Sequence, residues 1–255
     1  MRAALAVEAL KLWKATPARV AAAAVVVLTP AMSAGFVAYA RTDPDGPLGA
    51  KILPMLQGTG WAAVLGFVGM ILSVAGLLAV GVVVAWSFGR EFTDGTFGSL
   101  FAIPTSRRQI ALAKTTVLVT WGAAIAVATV GVTLALGVLT GLGRPDAAAW
   151  SGAGRVLGIA LLTVLLAVPI GLFASLSRSY LAGIAALIAT IFVTEIITMT
   201  GVGAWFPYAA PGMWSGMGGD ELAATVTTVQ LLLPVPVGLL GAAAVIWWWG
   251  RAEAV

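Results

Sequence analysis

Six long apolar segments dominate the sequence, and they leave a chain of this kind few ways to fold. They run approximately Val20–Ala40, Trp61–Phe88, Ile110–Thr140, Leu157–Leu176, Leu181–Gly201 and Ala223–Trp249. Each is long enough to cross a hydrocarbon core of about 30 Å as a helix. Ala, Val, Leu and Gly occupy all faces of these segments, which suits a helix surrounded by lipid or by other helices. Charge settles the solvent. Only 9% of the 255 residues are charged, against about 25% in a soluble domain, so the chain could not clothe its surface in water. The expected fold class is all-α: a polytopic membrane protein with about six transmembrane helices, forming one transmembrane domain over residues 1–255. The triplet Ala38-Tyr39-Ala40 resembles a signal-cleavage site, but the apolar stretch before it exceeds a signal's usual length of about 7–15 residues. It is therefore read as a span.

Lys and Arg set the orientation. With the N-terminus inside, the inner side holds Arg2, Lys11, Lys14, Arg19, Arg90, Arg107, Arg108, Lys114, Arg178 and Arg251, and the outer side holds Arg41, Lys51, Arg144 and Arg155. An even number of spans puts both termini in the cytoplasm. Trp247, Trp248 and Trp249 before Arg251 read as an aromatic anchor at the inner interface. The outer loops carry Asp43, Asp45, Asp146, Asp220 and Glu221 and read as small solvated connectors. Residues 1–19 have two readings. They form an interfacial helix with Leu5, Leu12 and Trp13 on one face and Lys11 and Lys14 on another, or a charged lead-in without a defined pose. Pro169, Pro234 and Pro236 fall inside predicted spans, where each should kink its helix, as a hinge or as a static bend. Gly137/Gly141 and Gly154/Gly158 are spaced for close helix approach.

The chain has no Cys and no His. Disulfides, thiolate or imidazole ligation of zinc or haem, and His-dependent catalysis are excluded. No basic run interleaved with aromatics points to nucleic acid. No G-x-x-x-x-G-K-[ST] loop is present to hold a nucleotide.

One segment differs in kind. It reads REFTDGTFGSLFAIPTSRRQIALAK from Arg90 to Lys114, on the inner side. Phe92, Phe97, Leu100, Phe101 and Ile103 are spaced to share a helical face, and Pro104 stops that helix. Ser106 and Gln109 form a capping box that starts span three, and Arg107, Arg108 and Lys114 are expected at the headgroups. The residues predict a short amphipathic helix over about 89–104. It either docks into a groove on a cytoplasmic partner or rests on lipid.

This segment resembles the cytoplasmic signature of type-2 ABC exporter permeases, particularly the six-span kind associated with bacitracin and lantibiotic resistance. The matching residues are Glu91, Gly95, Thr96, Leu100, Pro104, Ser106, Arg107 and Lys114. The six-span layout and overall length are similar across the rest. Residues 202–222, with Trp205, Pro207, Tyr208 and Pro211, resemble a partly re-entrant outer segment of that family. The resemblance implies a non-catalytic permease subunit of the plasma membrane, without a cofactor of its own. ATP would be bound by a separate cytoplasmic ABC ATPase in two copies, paired with two permease chains, identical or related. The segment would be the coupling helix, with Glu91, Asp94, Gly95, Thr96, Phe97, Leu100, Phe101, Pro104 and Arg107 as coupling residues. The cargo would be an amphipathic, peptide-antibiotic or lipid-like substrate leaving the cytoplasm or inner leaflet.

Glu195 is the only carboxylate deep in a predicted span. An ionised carboxylate there is costly, so it is expected to be protonated, hydrogen-bonded or facing water, with Thr194 and Thr198 nearby. Two readings stand: a structural neutral carboxyl, or a group lining the substrate path or a dimer interface together with Thr198. Glu195 also supports the alternative function, an ion-gradient-driven transporter or channel, beside that of a non-transporting scaffold.

Overall fold

The computed structural model describes residues 1–102, 104–199 and 203–253. Expectations resting on Ile103, Gly201, Val202 or the side chain of Phe101 lie outside the described residues. Among the described residues every regular element is helical. Six helices among the described residues are long and apolar enough to cross a membrane: Thr16–Thr42, Trp61–Thr93, Arg107–Leu139, Ala147–Leu176, Tyr180–Thr198 and Thr228–Arg251. The expected all-α, six-span class is the one the chain adopts. They are numbered here as spans one to six.

Burial orders the spans. The most apolar window is 67% buried in span two and 56% in span four, against 11% in span five. Spans two and four therefore form the centre, and span five lies at the periphery against span two. Span three packs against spans one, four and six and against the N-terminal helix. Leu65, Val68, Leu72, Val83, Ile159, Leu166 and Leu187 are core residues at these contacts.

Prolines punctuate this bundle in two ways. Span four breaks between Ala167 and Ile170, at Pro169. Span six uses the break as a seat, because a Cβ on Gly241 would lie 2.9 Å from Pro169 Cα. Pro234 and Pro236 mark an interruption inside span six, whose helix Thr228–Leu232 ends just before them. They sit in the first turn of the helix Pro234–Arg251, where missing N–H groups cost nothing. Two spans also widen locally into π-helix, at Ala24–Leu28 and Leu72–Gly76. The first lies immediately before Pro30, whose ring takes a donor out of the ladder.

Three further expectations change. The N-terminal helix is Arg2–Lys14, not 1–19. Ala15 is extended, and Thr16 already begins span one. The helix buries Ala4, Glu8 and Leu12, while Trp13 is 81% exposed, so Trp13 and Leu12 do not share a face. In each glycine pair one member admits a neighbouring ring and the other does not. Gly137 packs on the Trp61 ring and Gly158 on Trp214, while Gly154 faces open space. Finally, the segment after span five is not a solvated connector. Ala204, Ala209, Ala210, Met213 and Ser215 are buried, its helix Ala210–Trp214 packs on span four, and Gln57 Nε2 donates to the Ser215 carbonyl at 3.1 Å.

Candidate functional site

The segment after span two is a turn, not the helix expected over 89–104. The helix Leu77–Thr93 carries Glu91 and Phe92 on its last turn. Gly95 follows at φ 68°, in the left-handed region that favours glycine, and the chain reverses. The Phe97 amide donates to the Glu91 carbonyl at 2.7 Å. Only one short 3-10 turn follows, Gly98–Phe101. Phe97 consequently points inward. It stacks on Phe92 with centroids 4.3 Å apart and meets the Trp249 ring edge-on at 5.5 Å. Leu100 is half-buried, while Asp94, Ser99 and Pro104 are exposed. Asp94 pairs with Arg90 at 3.4 Å. The Ser106–Gln109 capping box forms as expected and starts span three at Arg107.

Beneath this turn lies a cluster of four charges. Lys114 Nζ is 2.8 Å from Glu8 Oε2 and 2.9 Å from Glu91 Oε1. Lys11 Nζ reaches the same two carboxylates, at 3.0 Å from Glu8 and 2.9 Å from Glu91. Thr96 Oγ1 donates to Glu91 Oε2 at 2.6 Å. The group is neutral overall, which is what permits its burial. It joins the N-terminal helix, the end of span two and the start of span three. Burial lowers the Lys11 pKa, and the carboxylates of Glu8 and Glu91 outweigh that, so the net shift is upward.

Lys114 was expected at the headgroups, yet its side chain is 1% exposed. It stands two turns inside span three, covered by the N-terminal helix, and two carboxylates meet it there. The aromatic anchor needs the same correction. Trp249 is fully buried, its Nε1 donating to Ser175 Oγ at 2.8 Å and its ring 5.9 Å from Lys114 Nζ. Of the three tryptophans only Trp247 is exposed, beside Arg251 at 4.3 Å. Sequence reasoning assigned no role to Glu8 and gave Lys114 and Trp249 interfacial ones. A signal existed for Lys114, because a charge two turns inside an apolar span requires a partner.

Glu195 lines a cleft with Ser73, Thr194, Thr198 and Tyr208. Its space of about 20 Å³ holds about one water, not a cargo molecule. The Thr194 and Thr198 hydroxyls donate to Thr190 O and Thr194 O of their own helix, at 2.7 and 2.8 Å. No hydroxyl of the described residues bonds the carboxyl. The π-helical stretch of span two supplies Ser73 and Val74 to the wall. Burial pushes the Tyr208 phenol up to about 12, so it stays neutral.

None of the curated proteins matches this chain. The family described as ABC-2 family transporter protein matches residues 4–201, a stretch that holds the ion cluster, the turn after span two and the first five spans. The chain therefore belongs to the ABC-2 transporter family, as a multi-pass membrane permease.

Proposed function

We infer that this permease exports an amphipathic, peptide-antibiotic or lipid-like substrate, driven by ATP hydrolysed in a separate cytoplasmic ABC ATPase. Two permease chains, identical or related, would form one pathway above two ATPase copies in the plasma membrane, with both termini of the permease cytoplasmic. The observation that carries this reading is the linkage of an exposed turn to a buried ion cluster. The turn, residues 93–106, offers Asp94, Ser99 and Pro104 outward. Its root residue Glu91 is bonded to Lys11 and Lys114. A push on the turn is thereby carried to the N-terminal helix and to spans two and three together. Thr96 and Gly95 shape the turn, Phe97 and Leu100 hold it to the bundle, and Arg107 begins span three just after it.

The test is reconstitution. The permease should co-purify with its ATPase, and ATP hydrolysis by the complex should rise when a cationic peptide antibiotic is added. A permease that transports under an ion gradient with no ATPase present would sink the reading. That second reading rests on the carboxyl of Glu195 in its water-sized cleft. The cysteine-free chain also allows a clean orientation test. A Cys at Asp45 should react with an impermeant maleimide on intact cells, and one at Ser99 should not.

A further inference from the structure

We propose that the end of the molecule opposite the ion cluster carries a binding site for an anionic oxygen head group, a phosphate or carboxylate, built around Arg155. A cavity of about 200 Å³ lies there between spans two and four. Gln57, Ser151, Arg155 and Ser215 supply its polar lining, and no Asp or Glu lines it. Arg155 makes no ion pair with any described carboxylate. Arg155 is exposed at the mouth of a part-polar cavity that holds no counter-charge, which leaves a positive site open to an anion.

Depth supports the same reading. Arg155 precedes Leu176, the last residue of span four, by 176 − 155 = 21 positions. At 1.5 Å per residue this is about 32 Å, close to the thickness of the hydrocarbon core. With Leu176 at one interface, Arg155 stands at headgroup level of the other. Its guanidinium lies over the Trp214 ring at 5.6 Å from the centroid. That contact holds the planar fork at the cavity while leaving its edges for an oxygen pair. Ser151, one helical turn away, stands beside it as a second donor. Gln57 ties the loop before span two to the Ser215 carbonyl and so fixes the opposite wall.

The experiment uses the full chain in nanodiscs, whose two faces are both accessible, so the result does not depend on membrane orientation. Ala148 lines the cavity, and Ala148→Cys supplies the chain's one thiol. Its maleimide labelling rate is measured in phosphatidylcholine discs, in discs containing phosphatidylglycerol, and in phosphatidylcholine discs with added glycerol phosphate. Labelling should be slowed by the anion, and Arg155→Gln should weaken that protection roughly tenfold, the loss of a charged hydrogen bond. Arg155→Lys should retain part of it. Protection by phosphatidylglycerol but not by glycerol phosphate assigns the site to a lipid headgroup, and protection by both assigns it to anions at large. Labelling indifferent to anion in the native-Arg155 background, or protection equal in Arg155→Gln, overturns the proposal.

Discussion

Lys114 Nζ lies 2.9 Å from Glu91 Oε1, with the two side chains 1% and 4% exposed. The contact joins the start of span three to the end of span two. Through Glu8, 106 positions from Lys114, it also joins both to the N-terminal helix. Buried ion pairs are weak evidence for net stability, but breaking one by removing a single partner is strongly destabilising. That asymmetry makes the cluster testable.

Lys114→Met leaves two buried carboxylates around an apolar side chain. It should lower stability by about 3–5 kcal/mol and free the N-terminal helix to proteolysis near Lys14. Adding Glu8→Gln should restore part of the loss, because one stranded charge is removed. Thermal unfolding of the single and double variants in detergent measures this, and wild-type melting of Lys114→Met would refute it.

Lys11 gives a pH signature. Its pKa is raised above the ordinary 10.5, because the folded state favours its charged form. Its contribution to stability is therefore complete below 10.5 and is lost as pH rises past that value. The difference in melting temperature between wild type and Lys11→Gln should be constant through neutral pH and shrink only above 10.5. A difference that persists undiminished well above 10.5 would show that the Lys11 contacts are not those described.

Phe97 and its neighbours should separate stability from partner binding. Phe97 is 6% exposed and stacked on Phe92, so Phe97→Ala should cost about 3–5 kcal/mol of stability. Asp94→Arg and Ser99→Arg change exposed positions of the turn. They should cost at most about 1 kcal/mol of stability, the worth of exposed pairs, and weaken ATPase association roughly tenfold each. Pull-down of the ATPase beside thermal unfolding distinguishes the two classes. Undiminished ATPase binding by both exposed variants would move the coupling surface elsewhere.

Glu195→Gln tests the cleft between spans two and five. The variant should assemble, melt and bind the ATPase like wild type, since no hydroxyl of the described residues depends on the carboxyl. If the carboxyl lines the path, transport or substrate-stimulated ATP hydrolysis should change, with an altered pH profile. Unchanged transport across pH would leave Glu195 a structural group.

What the sequence determined by itself is the architecture and the place of the informative turn. Apolar runs too long for a soluble core, broken by charge, fix the number of spans, because each run must match the bilayer whatever surrounds it. The Ser106–Gln109 cap was equally legible, being local chemistry over four residues. Only the tertiary structure decided which side chains of those spans meet. Phe97 faces the bundle and not a partner because Gly95 reverses the chain, a conformation that spacing along a helix does not encode. Lys114 and Trp249 look like interfacial anchors in one dimension, since both stand near span ends. They are buried because Glu8, Glu91 and Ser175 arrive from distant parts of the chain to satisfy them. Hydropathy is a property of each segment, whereas pairing of buried charge is a property of their arrangement, and no single segment contains it.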